Sequence, residues 1–288
     1  DNGKETIIFD TFLSPGVTGE LVNMISQMGL SPVRYVINSH CHNDHIRGNQ
    51  VFGEDVKIIS TKRTKELIAE WEPQDIQYEK EHAPARFKHY DSLYQTFTGD
   101  TSSRQFQQIL MWRPYYEVLM NSHQEVSTRL PDTFVDSIYH LNGPERQVTL
   151  ITYGAGHTDS DLMLYLPDDE IAFTGDIIFN NCHPYLAHGS IEGLQVWLDK
   201  LDSMKIRTIV PGHGEIGTAT LITDMQDYVS VVLDQANELV AQDISAEEIE
   251  DIPVPAQFSD WWFARFYTMN LNFAYDMALR AQDVDTVR

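Results

Sequence analysis

Val33-Arg-Tyr-Val-Ile-Asn-Ser39-His40-Cys41-His42-Asn43-Asp44-His45 is the stretch on which the reading of this chain turns. Its first half, Val33 to Asn38, is rich in apolar and β-branched residues and reads as a buried strand. Its second half puts three imidazoles and a carboxylate within six residues, directly after that strand. One histidine there would be explained by a polar loop; His-x-His-x-Asp-His is hard to justify as packing. Alternate residues of an extended chain share a face, so His40 and His42 project to one side and can meet a single metal ion. Asp44 and His45 fall where the chain turns into a helix, so they point elsewhere and can serve a second ion. Cys41, between two residues that share a face, points away and reads as a small buried side chain.

Working outward, Glu5 to Asp10 reads as a strand. Thr18 to Met28 reads as an amphipathic helix with Leu21, Ile25 and Met28 on one face and Gly29 as its stop. Val56 to Ser60 is a further strand, so the first sixty residues read β-α-β-α-β with the chemistry at a strand's carboxyl end. Residues 61–130 change character: aromatic and charged residues alternate at helical spacing, punctuated by Pro73 and Pro84, which predicts a helical insertion or cap. Residues 74–120, rich in Tyr, Phe, Trp and Met, are its best candidate for a lid that sets specificity. Phe134 to Tyr139 and Val148 to Tyr153 read as adjacent strands around Asn142-Gly143-Pro144. Leu162 to Leu166 and Glu170 to Thr174 read as a hairpin, followed by a helix over Ile191–Met204 and a strand over Arg207–Val210. Leu221, Met225, Tyr228, Val232, Ala236 and Leu239 keep one helical face, and an aromatic helix runs from Phe258 to Leu279. The expectation is one α/β domain over residues 1–288, with C-terminal helices over 218–288.

The chain has 288 residues, 42% of them hydrophobic and 22% charged, the balance of a globular protein. Lys and Arg number 20 against 43 Asp and Glu, a formal charge of −23 that repels phosphate backbones and anionic membrane surfaces. No apolar run reaches the roughly 18 residues a membrane span requires, and no signal-peptide core precedes the first strand. Two cysteines cannot build a disulfide scaffold, so the compartment stays open, cytoplasmic by default. The expected partner is a small-molecule substrate rather than nucleic acid or membrane; homo-oligomer formation is left open. His82, His89, His123 and His140 show no mutual spacing, which leaves them surface or capping roles.

Four segments in order resemble the metallo-β-lactamase superfamily: the His40–His45 stretch, Gly156-His157-Thr158, Phe173-Thr174-Gly175-Asp176 and Val210-Pro211-Gly212-His213-Gly214. Each follows a segment read as a strand, and together they span about residues 5–215. The resemblance implies a four-layer αββα sandwich with a two-metal site. His40, His42 and His157 would hold one ion, Asp44, His45 and His213 the second, and Asp176 would bridge them. It implies zinc, two ions per chain, with iron or manganese compatible with the same donors. The implied activity is a metal-dependent hydrolase working through a metal-bound hydroxide, with Asp44 placed to orient that hydroxide and take its proton. A carboxylate at Asp176 resembles the glyoxalase II and lactonase branches, pointing to an ester, thioester or lactone of a small metabolite. The alternatives are a β-lactam hydrolase and a mononuclear iron persulfide dioxygenase on the same fold. His183 and Tyr185, soon after Asp176, are candidate substrate donors at the rim. Family members usually carry two or three strands before the segment matching Asp10-Thr11, where nine residues precede Asp10 here. That implies a first sheet short of an edge, or a piece of a longer protein.

Overall fold

The computed structural model describes residues 1–122 and 124–286, with side chains described to residue 282. His123 lies outside the described residues. The chain divides into two compact units, Gly3–Phe134 with Asp1, and residues from Val135 onward with Asn2.

In the first unit, β1 (Thr6–Phe9), β2 (Val33–Ile37), β3 (Lys57–Ser60) and β4 (Thr133–Phe134) form a parallel sheet in that order. Between β1 and β2 runs α1 (Pro15–Gln27), started by Ser14, whose side chain accepts from the Gly16 amide, and by Pro15 in the first turn. Gly29 ends the segment at φ +67°, a backbone setting that suits glycine. Leu21 and Ile25 pack against the sheet cluster of Ile8, Val36, Phe52, Val56 and Ile58. Met28, expected on the same face, is 68% exposed instead, because it follows the last helical residue, Gln27, and leaves the stripe. After β2 come the short α2 (Asn43–Ile46) and a 3₁₀ turn over Arg47–Val51.

The expected helical insertion is two helices, α3 (Lys62–Thr96) and α4 (Arg104–Ser122). Pro73 and Pro84 do not break α3; it runs 35 residues through both. Both prolines are on its exposed side, where water can take up the backbone groups they leave unbonded. The buried side carries Leu67, Ile68 and Ala83, and two glutamates, Glu72 and Glu79.

The second unit is a six-stranded sheet in the order β10-β9-β8-β7-β6-β5. Its strands are β5 (Ile138–His140), β6 (Thr149–Gly154), β7 (Asp161–Leu166), β8 (Ile171–Phe179), β9 (Thr208–His213) and β10 (Gly217–Thr218). All neighbours are antiparallel except β8 and β9, which are parallel, with α5 (Ile191–Asp202) on the crossover. The segment read as one strand from Phe134 to Tyr139 is two: β4 closes the first sheet and β5 opens the second, with residues 135–137 between. Helices α6 (Thr220–Ala241), α7 (Ala246–Ile249) and α8 (Arg265–Thr286) complete the chain. All six positions expected on the α6 stripe are buried. The aromatic helix begins at Arg265, not Phe258; a 3₁₀ turn over Ala256–Phe258 and a left-handed Phe263, φ +63°, interrupt it. Phe258 and Tyr267 are buried in the main core and Trp261, Trp262 and Phe263 pack on it. Among the described residues no helix is long and apolar enough to cross a membrane.

Candidate metal centre

In the first unit the ligand-type residues gather at the carboxyl end of β2. His40 is 1% exposed and its Nε2 lies 3.0 Å from His42 Nδ1. Their rings meet edge to face, and His45 lies 4.2 Å from His40 between centroids. His45 Nε2 is 3.6 Å from an Asp44 carboxylate oxygen.

The proton inventory around Asp10 sets the ring states. The Ser39 amide and hydroxyl both donate to Asp10, at 2.8 Å each. Having spent its one proton, the Ser39 hydroxyl accepts at 2.9 Å from His40 Nδ1–H. His45 Nδ1–H donates to the same Asp10 at 2.8 Å. In the neutral ring, both histidines then present Nε2 as the lone-pair side, as a metal ligand must. Asp10 reaches this position from a left-handed φ of +61°, a setting Asp tolerates better than most residues. The sequence reading saw Asp10 only as a strand end; nothing in its spacing announced a partner 35 residues away.

In the second unit three strands position the ligand-type residues. His157 follows β6, Asp176 lies in β8 and His213 ends β9. Gly175 has φ +54° and the β8–β9 register shifts on both sides of it, so the strand bulges and re-aims Asp176. Asp176 Oδ2 lies 3.3 Å from His157 Nε2 and 3.4 Å from His213 Nε2. Phe179 wedges beside both imidazoles, 5.7 Å from His157 and stacked 5.3 Å from His213. Gly212 passes so close that a Cβ there would fall 1.9 Å from Asp176 Oδ1.

Behind His157, Asp161 takes the Thr158 amide at 3.1 Å and the Thr158 hydroxyl at 2.9 Å. Burial pushes its carboxyl up to about 8, with the Asp176 charge adding to the rise and the Thr158 bonds opposing it.

All seven predicted ligands, His40, His42, Asp44 and His45 in the first unit and His157, Asp176 and His213 in the second, can offer an atom to a metal ion. Donor chemistry fits as well. Two donors each about 2.1 Å from a tetrahedral ion stand about 3.4 Å apart, and the Asp176–imidazole distances match that spacing better than a good hydrogen bond.

The rim candidates fare differently. His183 is fully buried, with Nδ1 3.1 Å from the Tyr228 hydroxyl and its ring among Tyr228, Trp261 and Tyr267. That corrects the expectation of a rim donor: the loop folds inward because Asn270 ties it down, donating to Pro184 O and accepting from the Leu186 amide. Tyr185 is half-buried against His188 and Phe266, and burial raises its phenol above the ordinary value. Cys41 is buried against Ile46, Leu67 and Ile68 as expected, and Cys182 joins the main core. His82, His89 and His140 are exposed.

Two sheets with their helices, and His and Asp residues on or after their strands that could hold a metal ion, define an α/β protein of metal-site type. The chain belongs to the metallo-β-lactamase superfamily, whose description it matches over residues 1–213. It is similar to the metallo-β-lactamase type 2 of Bacillus cereus, 20% identical over 235 residues, 80% of this chain and 70% of that protein. It is also similar to the Bacteroides fragilis protein of the same name, 27% identical over 111 residues, 36% of this chain. Of that second relative's length the match spans only 44%. A solved metallo-β-lactamase from Pontibacter korlensis shares the fold, with a TM-score of 0.57 and 17% identity over 80% of this chain and 84% of that one.

Proposed function

We propose that this chain is a dinuclear metal-dependent hydrolase, with zinc as the metal, cleaving an ester, thioester or lactone of a small metabolite. On this reading His40, His42 and His157 would hold one ion and Asp44, His45 and His213 the other, with the Asp176 carboxylate available to both. The observation that carries this reading is the single Asp176 oxygen set at ligand-to-ligand distance from two imidazoles, 3.3 and 3.4 Å. A bound divalent ion lowers the pKa of its water toward neutrality and polarises a substrate carbonyl. The chain's own residues do the rest. Asp10 and Ser39 hold His45 and His40 in the tautomer that turns Nε2 away from the support. Asp44, its side chain 31% exposed, is open enough to take a proton from attacking water and pass it to the leaving group. Phe179, 3% exposed, packs against the His157 and His213 rings and backs them from the core side.

The branch with a carboxylate after Thr174-Gly175 supports ester-type substrates. A β-lactam substrate is the second reading, favoured by the names of both curated relatives. The test is metal analysis of protein purified without chelator, followed by rates on ester, thioester and lactone panels and a chromogenic cephalosporin. Two ions per chain with ester-type turnover, abolished by Asp176→Ala, is the expected result. Well under one ion per chain refutes the metal reading. Turnover of the cephalosporin alone selects the second.

A further inference from the structure

Arg47, two residues beyond His45, is 0% exposed. Its Nε and Nη2 fork onto Glu72 at 2.9 and 3.3 Å, and its Nη1 donates to Glu79 at 2.8 Å. Both glutamates come from the buried side of α3. Each carries a second load: Glu72 accepts from the Thr128 hydroxyl at 2.7 Å, and Glu79 Oε1 accepts from Asn43 Nδ2 at 2.7 Å. Asn43 stands between His42 and Asp44. The Asn43–Arg47 segment, which carries Asp44 and His45, is thus held in front and behind by one pair of carboxylates on one helix.

Stability alone is a poor reason for this arrangement. A buried ion pair roughly breaks even against apolar residues of the same volume, which α3 uses freely elsewhere on the same side as Leu67 and Ile68. What the fork supplies is direction, because guanidinium and carboxylate bond in one plane. We infer that Arg47 and Asn43 are positioning residues: through Glu72 and Glu79 they hold Asp44 and His45 in the geometry that binds the second ion. This rests on the metal reading above, and it gives α3 a role in metal affinity in addition to any covering role.

The test uses the full chain, stripped and titrated with Zn²⁺ and Co²⁺ against a competing chelator. Arg47→Met removes the fork, Arg47→Lys keeps one charge without it, and Asn43→Ala cuts the front tie while leaving the buried pairs whole. Supporting partners of metal ligands change affinity by about 10–100-fold. Arg47→Met and Asn43→Ala are therefore expected to weaken the second ion by that factor, shift the Co²⁺ visible spectrum and leave the first ion's affinity unchanged. Arg47→Lys is expected to fall between. Should Arg47→Met fail to fold, Asn43→Ala decides alone. Lower melting temperatures with unchanged affinities and spectra overturn the inference and leave the metal reading standing. Wild-type protein that binds no metal overturns both.

Discussion

Gly212→Ala tests the second unit's cluster of ligand-type residues most directly. The added Cβ would lie 1.9 Å from Asp176 Oδ1, 3.0 Å from its Cγ and 2.8 Å from the backbone carbonyl carbon of Gly175. An ordinary carbon–oxygen contact is about 3.3 Å, so the carboxylate oxygen has to retreat by roughly 1.4 Å, the difference between those two distances. Rotating the carboxylate relieves the first clash but not the third, because Gly175 is backbone in β8. The β8–β9 spacing must therefore open as well, at the register point where Gly175 faces Pro211. Overpacking of this kind costs about 1–3 kcal/mol of stability. A ligand displaced by the order of 1 Å costs about 100-fold in rate. The expected result is metal affinity reduced about 10–100-fold and turnover about 100-fold. The melting temperature of metal-free protein should fall by several degrees. Chelator competition and calorimetry measure the two effects. Gly19→Ala is the control: nothing lies within 4 Å of a Cβ there, in the middle of α1, so it should stabilise by up to about 1 kcal/mol with metal binding untouched. If Gly212→Ala binds both ions as tightly as wild type, the close approach does not constrain Asp176 and the reasoning fails.

Asp10→Ala removes the acceptor of His45 Nδ1 and of both Ser39 donors, so metal affinity should drop about 10–100-fold; isothermal titration with Zn²⁺ checks it. Trp197→Ala empties a fully buried site under the second sheet and should lower the unfolding free energy by about 3–5 kcal/mol in urea titrations. Asp161→Asn, compared with wild type in metal-free protein, gives a pH signature. Wild-type Asp161 keeps its proton to about pH 8 when folded, while the unfolded chain loses it near 3.8. Folding therefore takes up a proton in that window, and wild-type stability falls as pH rises from about 4 to 8, by at most about tenfold in the folding constant per pH unit. Asparagine has no such proton, so the variant's stability relative to wild type should climb across the window and level above it. A flat difference from pH 4 to 8 would show that Asp161 is ionised throughout.

Much of this molecule is legible along the chain. The strand before His40, the helical stretch after Ser60, the 162–174 hairpin and the stripe of α6 come from periodicities set by the backbone. The seven ligand-type residues stand out because His and Asp gather in short motifs on or just after strands. Where the reading failed, the cause is distance in sequence. The split of residues 134–139 between two sheets depends on which strand edge is vacant on either side. His183 looked like a rim donor because it follows Asp176 closely, yet Asn270, 87 residues later, draws its loop into the core. Nothing in the sequence pattern singles out Glu72 and Glu79 among the charged residues of the helical stretch. Only the fold brings Arg47 beneath them.

The order of the metal-type residues and the alternation that puts His40 and His42 on one side are properties of local bonding, which needs no partner to act. The proton states at His40 and His45, the close pass of Gly212 at Asp176, the raised Asp161 and the hold of α3 on the ligand loop belong to the folded chain alone. Most of these depend on groups far apart in sequence being brought close and shielded from water, and that desolvated proximity, absent from any unfolded segment, gives the ligand-type residues of each unit a defined geometry.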